Sequence, residues 1–345
     1  MSDVPSLVII GGSNSLLRNG WVDQLKKLHP EPERVVNLSI GAATTAMGIY
    51  RLLSSTDLPP NPVIIWEYAL NEANYSAHHQ PVGVLLYHLR WLFEICARRG
   101  YPVLPVLLYN KAEATDEELH PYREKLASLL KRYQLKPVDA RRFWRLRFAH
   151  LTPDRLYKDN PHYATDTQFP RALAKLVLAR AAGAVIPRDT KPGNGLAGRD
   201  LRILAPSDSD ARAFSNRILS CDIFPLTRSR EIQMQGQLLA CFLISSPNEA
   251  AIVFRSARGR RGPFSAQIGA SESGPALQLK HLLLWNPQNP PLEVDGCLTI
   301  TPRQKPLRGP IVQHTMAWRG PPKGEAEADP SRQGGVIGLL AEVGI

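Results

Sequence analysis

No run of apolar residues in this chain is long enough to cross a bilayer, which argues against a membrane-spanning helix. The opening residues, M-S-D-V-P, carry no basic region followed by a long apolar stretch, so no export signal is read there and a cytoplasmic location is expected. Cysteine is scarce: Cys96, Cys221, Cys241 and Cys297 are far apart and form no C-x-x-C pair. Free, mostly buried thiols fit this better than a disulfide framework or a zinc site. The glycine turn at Gly11-Gly12 has neither the lysine of a Walker motif nor the spaced glycines of a dinucleotide fingerprint, so no nucleotide cofactor is implied. Acidic residues are outnumbered by basic ones, 31 to 42, giving a net charge of +11. That balance invites a nucleic-acid reading. However, the basic residues are spread along the chain, and the densest cluster (Arg255, Arg258, Arg260, Arg261) lies in a glycine-containing segment read as a loop. Solvation, or attraction to an acidic polymer, explains the charge as well, and no specific nucleic-acid partner is expected.

What is present is an alternation of strand-like and helix-like segments. At 345 residues two domains are expected. The apolar, β-branched run Leu7 to Ile10 reads as a buried strand ending at Gly11-Gly12, where glycine permits torsions closed to other residues. A helix is read from Leu16 to Leu28, ended by His29-Pro30, then a strand from Arg34 to Ile40. Next come a helix opened by Thr44 or Thr45, a strand from Pro62 to Leu70, and a helix from Val82 to Arg99 with an apolar stripe. A strand from Val103 to Tyr109, a helix from Thr115 to Tyr133, a short strand from Lys136 to Ala140 and a helix from Phe169 to Ala182 complete the series. This is the pattern of an α/β domain, a parallel sheet with covering helices, assigned to residues 1–187. A Gly- and Pro-rich linker covers 188–200. From 201 to 345 the β-like runs Leu201–Leu204, Gln237–Ser245, Ala250–Phe254, Leu277–Trp285 and Cys297–Ile300 alternate with turn clusters. No helical pattern precedes the end of the chain, so the expectation is a small antiparallel all-β domain, a sandwich. A Pro-, Gly- and charge-rich tail near 320–333 reads as flexible.

Several polar residues fall at the predicted strand ends, where open α/β sheets place their chemistry. Ser13 follows the first strand, and the turn Gly-Gly-Ser-Asn-Ser either presents it as a nucleophile or uses Ser13 or Ser15 as a helix cap. Asp159-Asn160-Pro161-His162 lies in the loop before the last helix. An Asp three residues ahead of a His supplies both a base for a serine and the carboxylate that orients it, or else a cap beside a surface histidine. Gly41 and Asn71 stand just past the second and third strands, as a turn glycine and a helix cap or as oxyanion donors together with the Ser13 N–H. Asn14 adjoins the nucleophile and Glu72 follows Asn71. Each reads either as a pocket-lining residue or as part of a helix end. His78-His79 has no carboxylate or Cys at ligand spacing and reads as an exposed loop, so no metal is expected.

Taken together, the blocks G-G-S, N-L-S-I-G-A-A, Y-A-L-N-E and D-N-P-H resemble, in order and in place, those of the SGNH hydrolases, relatives of the GDSL esterases. Gly12 stands where the common G-D-S has Asp, Ala69 where G-x-N-D has Gly, and Glu72 where it has Asp. The resemblance covers residues 6 to 185. It implies a three-layer α/β/α domain and a metal-free serine ester hydrolase with Ser13, His162 and Asp159 as the catalytic set. Ser13 N–H, Gly41 N–H and Asn71 would bind the oxyanion, and Asn14 and Glu72 would lie near substrate. A small acyl group such as acetyl, carried by a carbohydrate, is the substrate that family habit and the appended β-domain imply. The alternatives are acyl transfer to a sugar hydroxyl through the same acyl-enzyme, or a catalytically degenerate fold that binds an acidic glycan or other polyanion.

Overall fold

The structure is a computed structural model and describes residues 4–118, 120–191, 195–207, 210–246, 249–267, 277–303, 311–312, 319–320 and 334–345. The tail expected near 320–333 lies, but for Gly320, outside these residues. The chain divides into two units, Met1–Ala77 with Leu85–Gly195, and His78–Val84 with Leu196–Ile345. The sequence reading does not foresee that His78–Val84 groups with the second.

In the first unit, strands β1 (Leu7–Gly11), β2 (Val35–Asn37), β3 (Val63–Glu67), β4 (Val103–Leu107) and β5 (Val138–Asp139) form a five-stranded sheet in the order β2-β1-β3-β4-β5. Every pairing is parallel. Residues 7–10 of β1 and all of β3 are buried, as expected of central strands covered on both faces. The connecting helices are α1 (Trp21–Leu28), α2 (Thr45–Ser54), α3 (Ala69–Ala77), α4 (Val82–Arg99), α5 (Lys111–Ala114) and α6 (Pro121–Arg132). After β5 come α7 (Ala140–Arg147), α8 (Pro153–Leu156) and α9 (Phe169–Ala181). The chain steps one way from β1 to β2 and the other way ever after. Right-handed crossovers therefore put α1 on one face and α2, α4 and α6 on the other. Helix α9 packs on α1, completing the first face and giving the three layers expected. The reversal between β1 and β3 leaves a crevice at the carboxyl end of β1, where Ser13 stands.

Several boundaries differ from the sequence expectation. The helix read from Leu16 begins only at Trp21, because Asn19 adopts a left-handed φ of +58° and Gly20 takes the extended cap position. The strand read to Leu70 stops at Glu67 and α3 starts at Ala69, so Asn71 sits inside the first helical turn. The helix read from Thr115 is broken in two, with Pro121 opening α6. Helix α7, where Asp139 caps the N-terminus by accepting from Arg142 N at 2.8 Å, was not expected.

The second unit contains β6 (Arg199–Leu204), β7 (Arg212–Ser215), β8 (Ser220–Pro225), β9 (Arg230–Ser245), β10 (Ala251–Ser256) and β11 (Gly259–Ser265). It continues with β12 (Gln278–Leu283), β13 (Leu292–Arg303), β14 (Ile311–Val312), β15 (Arg319–Gly320) and β16 (Gly335–Gly344). Hydrogen bonds join these into one continuous sheet rather than the two separate sheets of a simple sandwich. The long strand β9 pairs with β13 along its first part and with β12 along its second, while β16 runs on its other side. An apolar cluster including Leu238, Leu243, Ile252, Phe254, Leu298 and Leu339 forms the core. The arginine-rich segment read as a loop is the β10–β11 hairpin, with Arg255 opposite Arg260. The last residues of the chain are a strand, not a helix.

Candidate active site

Strand β1 ends at Gly11, and after Gly12 the chain makes a single 3-10 turn, Ser13–Ser15. The two glycines are set by what surrounds them, not by unusual torsions. A β-carbon on Gly11 would lie 2.7 Å from both Glu67 Oε2 and Ser15 Oγ, and one on Gly12 would lie 2.2 Å from Asn71 Oδ1. Below the turn, Glu67 Oε2 accepts from Gly12 N at 3.0 Å and from the Ser15 hydroxyl at 2.7 Å. Glu67 is buried at the end of β3, and that burial pushes its carboxyl up to about 7 against the pull of the two donors. The sequence reading gave this residue no part. A lone acid at the end of the apolar run V-I-I-W was the available signal, since a carboxyl there must find donors.

The D-N-P-H loop returns over the same sheet edge. Tyr157 and Tyr163 pair across its base. Tyr157 OH donates to Tyr109 O at 3.0 Å, while Tyr163 OH accepts from Tyr109 N at 3.3 Å, which ties the loop to the end of β4. Asn160 secures the tip, its backbone O accepting from Lys111 N at 2.8 Å and its Oδ1 from Ala112 N at 3.3 Å. Held this way, His162 Nε2 lies 2.9 Å from Ser13 Oγ, and His162 Nδ1 lies 2.8 Å from Asp159 Oδ1. The same Asp159 oxygen accepts from His162 N at 3.0 Å. An imidazole bonded on one side to a hydroxyl and on the other to a carboxylate is held in the tautomer that can take the hydroxyl proton.

Gly41 and Asn71 both lie against the nucleophile turn. Gly41 follows β2 and faces the nucleophile: a β-carbon there would lie 3.4 Å from Ser13 Cβ. Asn71 is 7% exposed, its amide against Gly12. Tyr75 of α3 donates to Ala42 O at 2.8 Å, steadying the turn in which Ala42 adopts a φ of +50°.

Two residues expected beside substrate are placed otherwise. Glu72 is fully buried: Oε1 accepts from Thr45 N at 2.8 Å at the start of α2, and Oε2 accepts from Tyr122 OH at 2.6 Å. Glu72 therefore tethers helices instead of lining a pocket, because its side chain turns inward to satisfy a helix N-terminus. Burial raises its carboxyl to about 7. Asn14 is also buried, 4% exposed, with its amide spent on Pro161 O and Tyr163 N. Among the described residues, no group of three or more His, Cys, Asp or Glu side chains is placed to hold a metal, and no helix is long and apolar enough to cross a membrane.

No protein-family model matches this sequence, and no curated protein matches it significantly. Among solved structures, a two-domain esterase active on acetylated mannans, co-crystallised with mannopentaose, superposes over 98% of this chain and 90% of its own. The TM-score is 0.57 and the identity 12%. The chain has that two-domain fold. Other structures overlie only half of it. They include an acetyl xylan esterase (50% of this chain, 98% of that one, 17% identity, TM-score 0.42). Another is a lipolytic G-D-S-L family protein from Veillonella parvula (50% and 96%, 13% identity, TM-score 0.40). At such distances the likeness shows the fold alone. What the site can do rests on its own geometry.

Proposed function

We propose that the chain is a serine ester hydrolase of the SGNH type that removes small acyl groups, acetyl above all, from a carbohydrate. The observation that carries this reading is the unbroken run of hydrogen bonds Ser13 Oγ–His162 Nε2 and His162 Nδ1–Asp159 Oδ1, at 2.9 and 2.8 Å, beside Gly41 and Asn71. His162 takes the proton of Ser13 as its oxygen attacks the ester carbonyl. The tetrahedral oxyanion is met by the N–H groups of Ser13 and Gly41 and the Asn71 amide. His162 then protonates the leaving alcohol, an acyl-enzyme remains on Ser13, and water activated by the same imidazole releases the acid. Asp159 keeps the imidazole oriented and stabilises its charged form. The carbohydrate assignment is supported by the mannan-active esterase with the same two-domain fold.

The test is hydrolysis of p-nitrophenyl acetate and butyrate, and of acetylated mannan and xylan, by the wild type and the Ser13→Ala variant. We expect acetate to be preferred and kcat to fall by about 10⁴–10⁶ in the variant. Equal turnover by both proteins would overturn Ser13 as nucleophile. Turnover of the nitrophenyl esters without release of acetate from either polysaccharide would overturn the carbohydrate assignment.

A further inference from the structure

Asn14, next in sequence to the proposed nucleophile, reaches across to the loop that carries the proposed base. Its Nδ2 donates to Pro161 O at 2.7 Å, and its Oδ1 accepts from Tyr163 N at 3.0 Å. Those two backbone groups belong to the residues immediately before and after His162. The amide thus grips the chain on both sides of the imidazole from a position one residue away from Ser13, and it is nearly closed to solvent, 4% exposed. The loop's other fastenings run to different elements. The tyrosine pair and Asn160 fasten it to the end of β4 and to α5.

We propose that Asn14 is a positioning residue that sets the Ser13–His162 separation, by locking the base-bearing loop to the nucleophile turn. This deepens the hydrolase reading and rests on it. The grip requires one donor and one acceptor on a short, planar side chain, and an amide is the group that offers both. Serine is too short to span the two contacts, and aspartate places a carboxylate oxygen against the Pro161 carbonyl. The internal Asp159–His162 pair, three residues apart in one loop, does not pass through Asn14. Loss of the clamp should therefore loosen the serine–imidazole contact while leaving the imidazole–carboxylate contact in place. A misplacement of about 1 Å at such a contact costs about 10²-fold in rate.

The experiment compares the wild type, Asn14→Ala and Asn14→Asp as full-length proteins. It combines steady-state kinetics on p-nitrophenyl acetate from pH 6 to 9 with crystal structures of the wild type and Asn14→Ala. For Asn14→Ala, kcat is expected to fall about 10²-fold with KM within about twofold, since no substrate contact is removed. In the crystal, the Ser13 Oγ–His162 Nε2 separation should open beyond 3.5 Å while His162 Nδ1–Asp159 Oδ1 stays within hydrogen-bond reach. For Asn14→Asp, the activity relative to the wild type at each pH should rise toward pH 6, where a protonated carboxyl regains the donor facing Pro161 O. A purely structural role would not move that ratio. The proposal is overturned if Asn14→Ala keeps kcat within threefold of the wild type, or if its Ser13–His162 separation is unchanged. Should the wild type turn over no ester and resist a serine-directed phosphonate, the hydrolase reading fails. The crystallographic separation then still decides the role of Asn14.

Discussion

Replacing Glu72 with Gln should make the protein more stable at alkaline pH while leaving its activity alone. Glu72 is fully buried and bonded to Thr45 N and Tyr122 OH, and burial raises its carboxyl from 4.5 to about 7 in spite of those bonds. A carboxyl raised in the folded state binds its proton more tightly there than in the unfolded chain. Its ionisation therefore costs nothing below pH 4.5, an increasing amount between 4.5 and 7, and the full amount above 7. Raising a carboxyl from 4.5 to about 7 corresponds to roughly 3 kcal/mol. Glutamine keeps the geometry, its oxygen accepting from Thr45 N and its amide donating to the Tyr122 oxygen, and it never ionises. Relative to the wild type, Glu72→Gln should be about equal near pH 4.5 and roughly 3 kcal/mol more stable at pH 8.5, or about 6–12 °C in Tm. Urea unfolding at pH 5, 6, 7 and 8.5 measures the gap. A gap that stays constant with pH, or a variant less stable than the wild type at pH 8.5, would refute the reasoning. A changed KM would refute the separate conclusion that Glu72 does not meet substrate.

Gly12→Ala should lower kcat on p-nitrophenyl acetate by about 10²-fold or more, because the new methyl must displace the Asn71 amide, and loss of one of the proposed oxyanion donors costs about that much. Asp159→Asn should reduce kcat by about 10³-fold with little change in KM, since in the proposed mechanism the carboxylate orients the imidazole and does not meet the acyl group. In the β-domain, a β-carbon on Gly236 would lie 2.1 Å from Glu342 O, and its φ of +144° is closed to other residues. Gly236→Ala should destabilise that domain by about 2–4 kcal/mol, read as an earlier urea transition with the esterase assay unaffected before it.

Much of the first domain is legible because its strands are short apolar runs stopped by glycine or a polar residue, and β1 and β3 keep that pattern without exception. The boundaries fail where a local backbone preference cuts into an apolar period, as at Asn19-Gly20 and at Pro121. The meeting of Ser13 with the D-N-P-H loop at one sheet edge could be read because position at a strand end is a property of the sequence. The roles of Asn14 and Glu72 could not. Both are polar residues beside a site, and whether such a side chain faces outward or inward is decided by distant partners: Pro161 and Tyr163 for one, Thr45 and Tyr122 for the other. Glu67 was missed for the same reason, since its donors lie 55 and 52 residues away. The β-domain was read only in part because its long strands carry an irregular burial pattern. Residues 238–245 of β9 are buried on both faces, whereas 230–235 alternate.

The departures from the common motif follow from this packing. Where G-D-S would place an aspartate, this chain has Gly12, and the space that a side chain there would need is taken by Asn71, with Glu67 receiving the Gly12 N–H from below. Restoring the aspartate alone would drive its carboxylate into the Asn71 amide and bring a second carboxylate close to Glu67, so a more ordinary motif should give a poorer site. The glutamate at 72 follows the same logic one helix away, where the side chain spans from α3 to both Thr45 N and Tyr122 OH. These two departures thus leave His162 bonded to both Ser13 and Asp159, with Gly41 and Asn71 beside the nucleophile turn. The motif differs from its common form in residues that hold the turn and the helices, and the atoms that would carry the reaction stay in place.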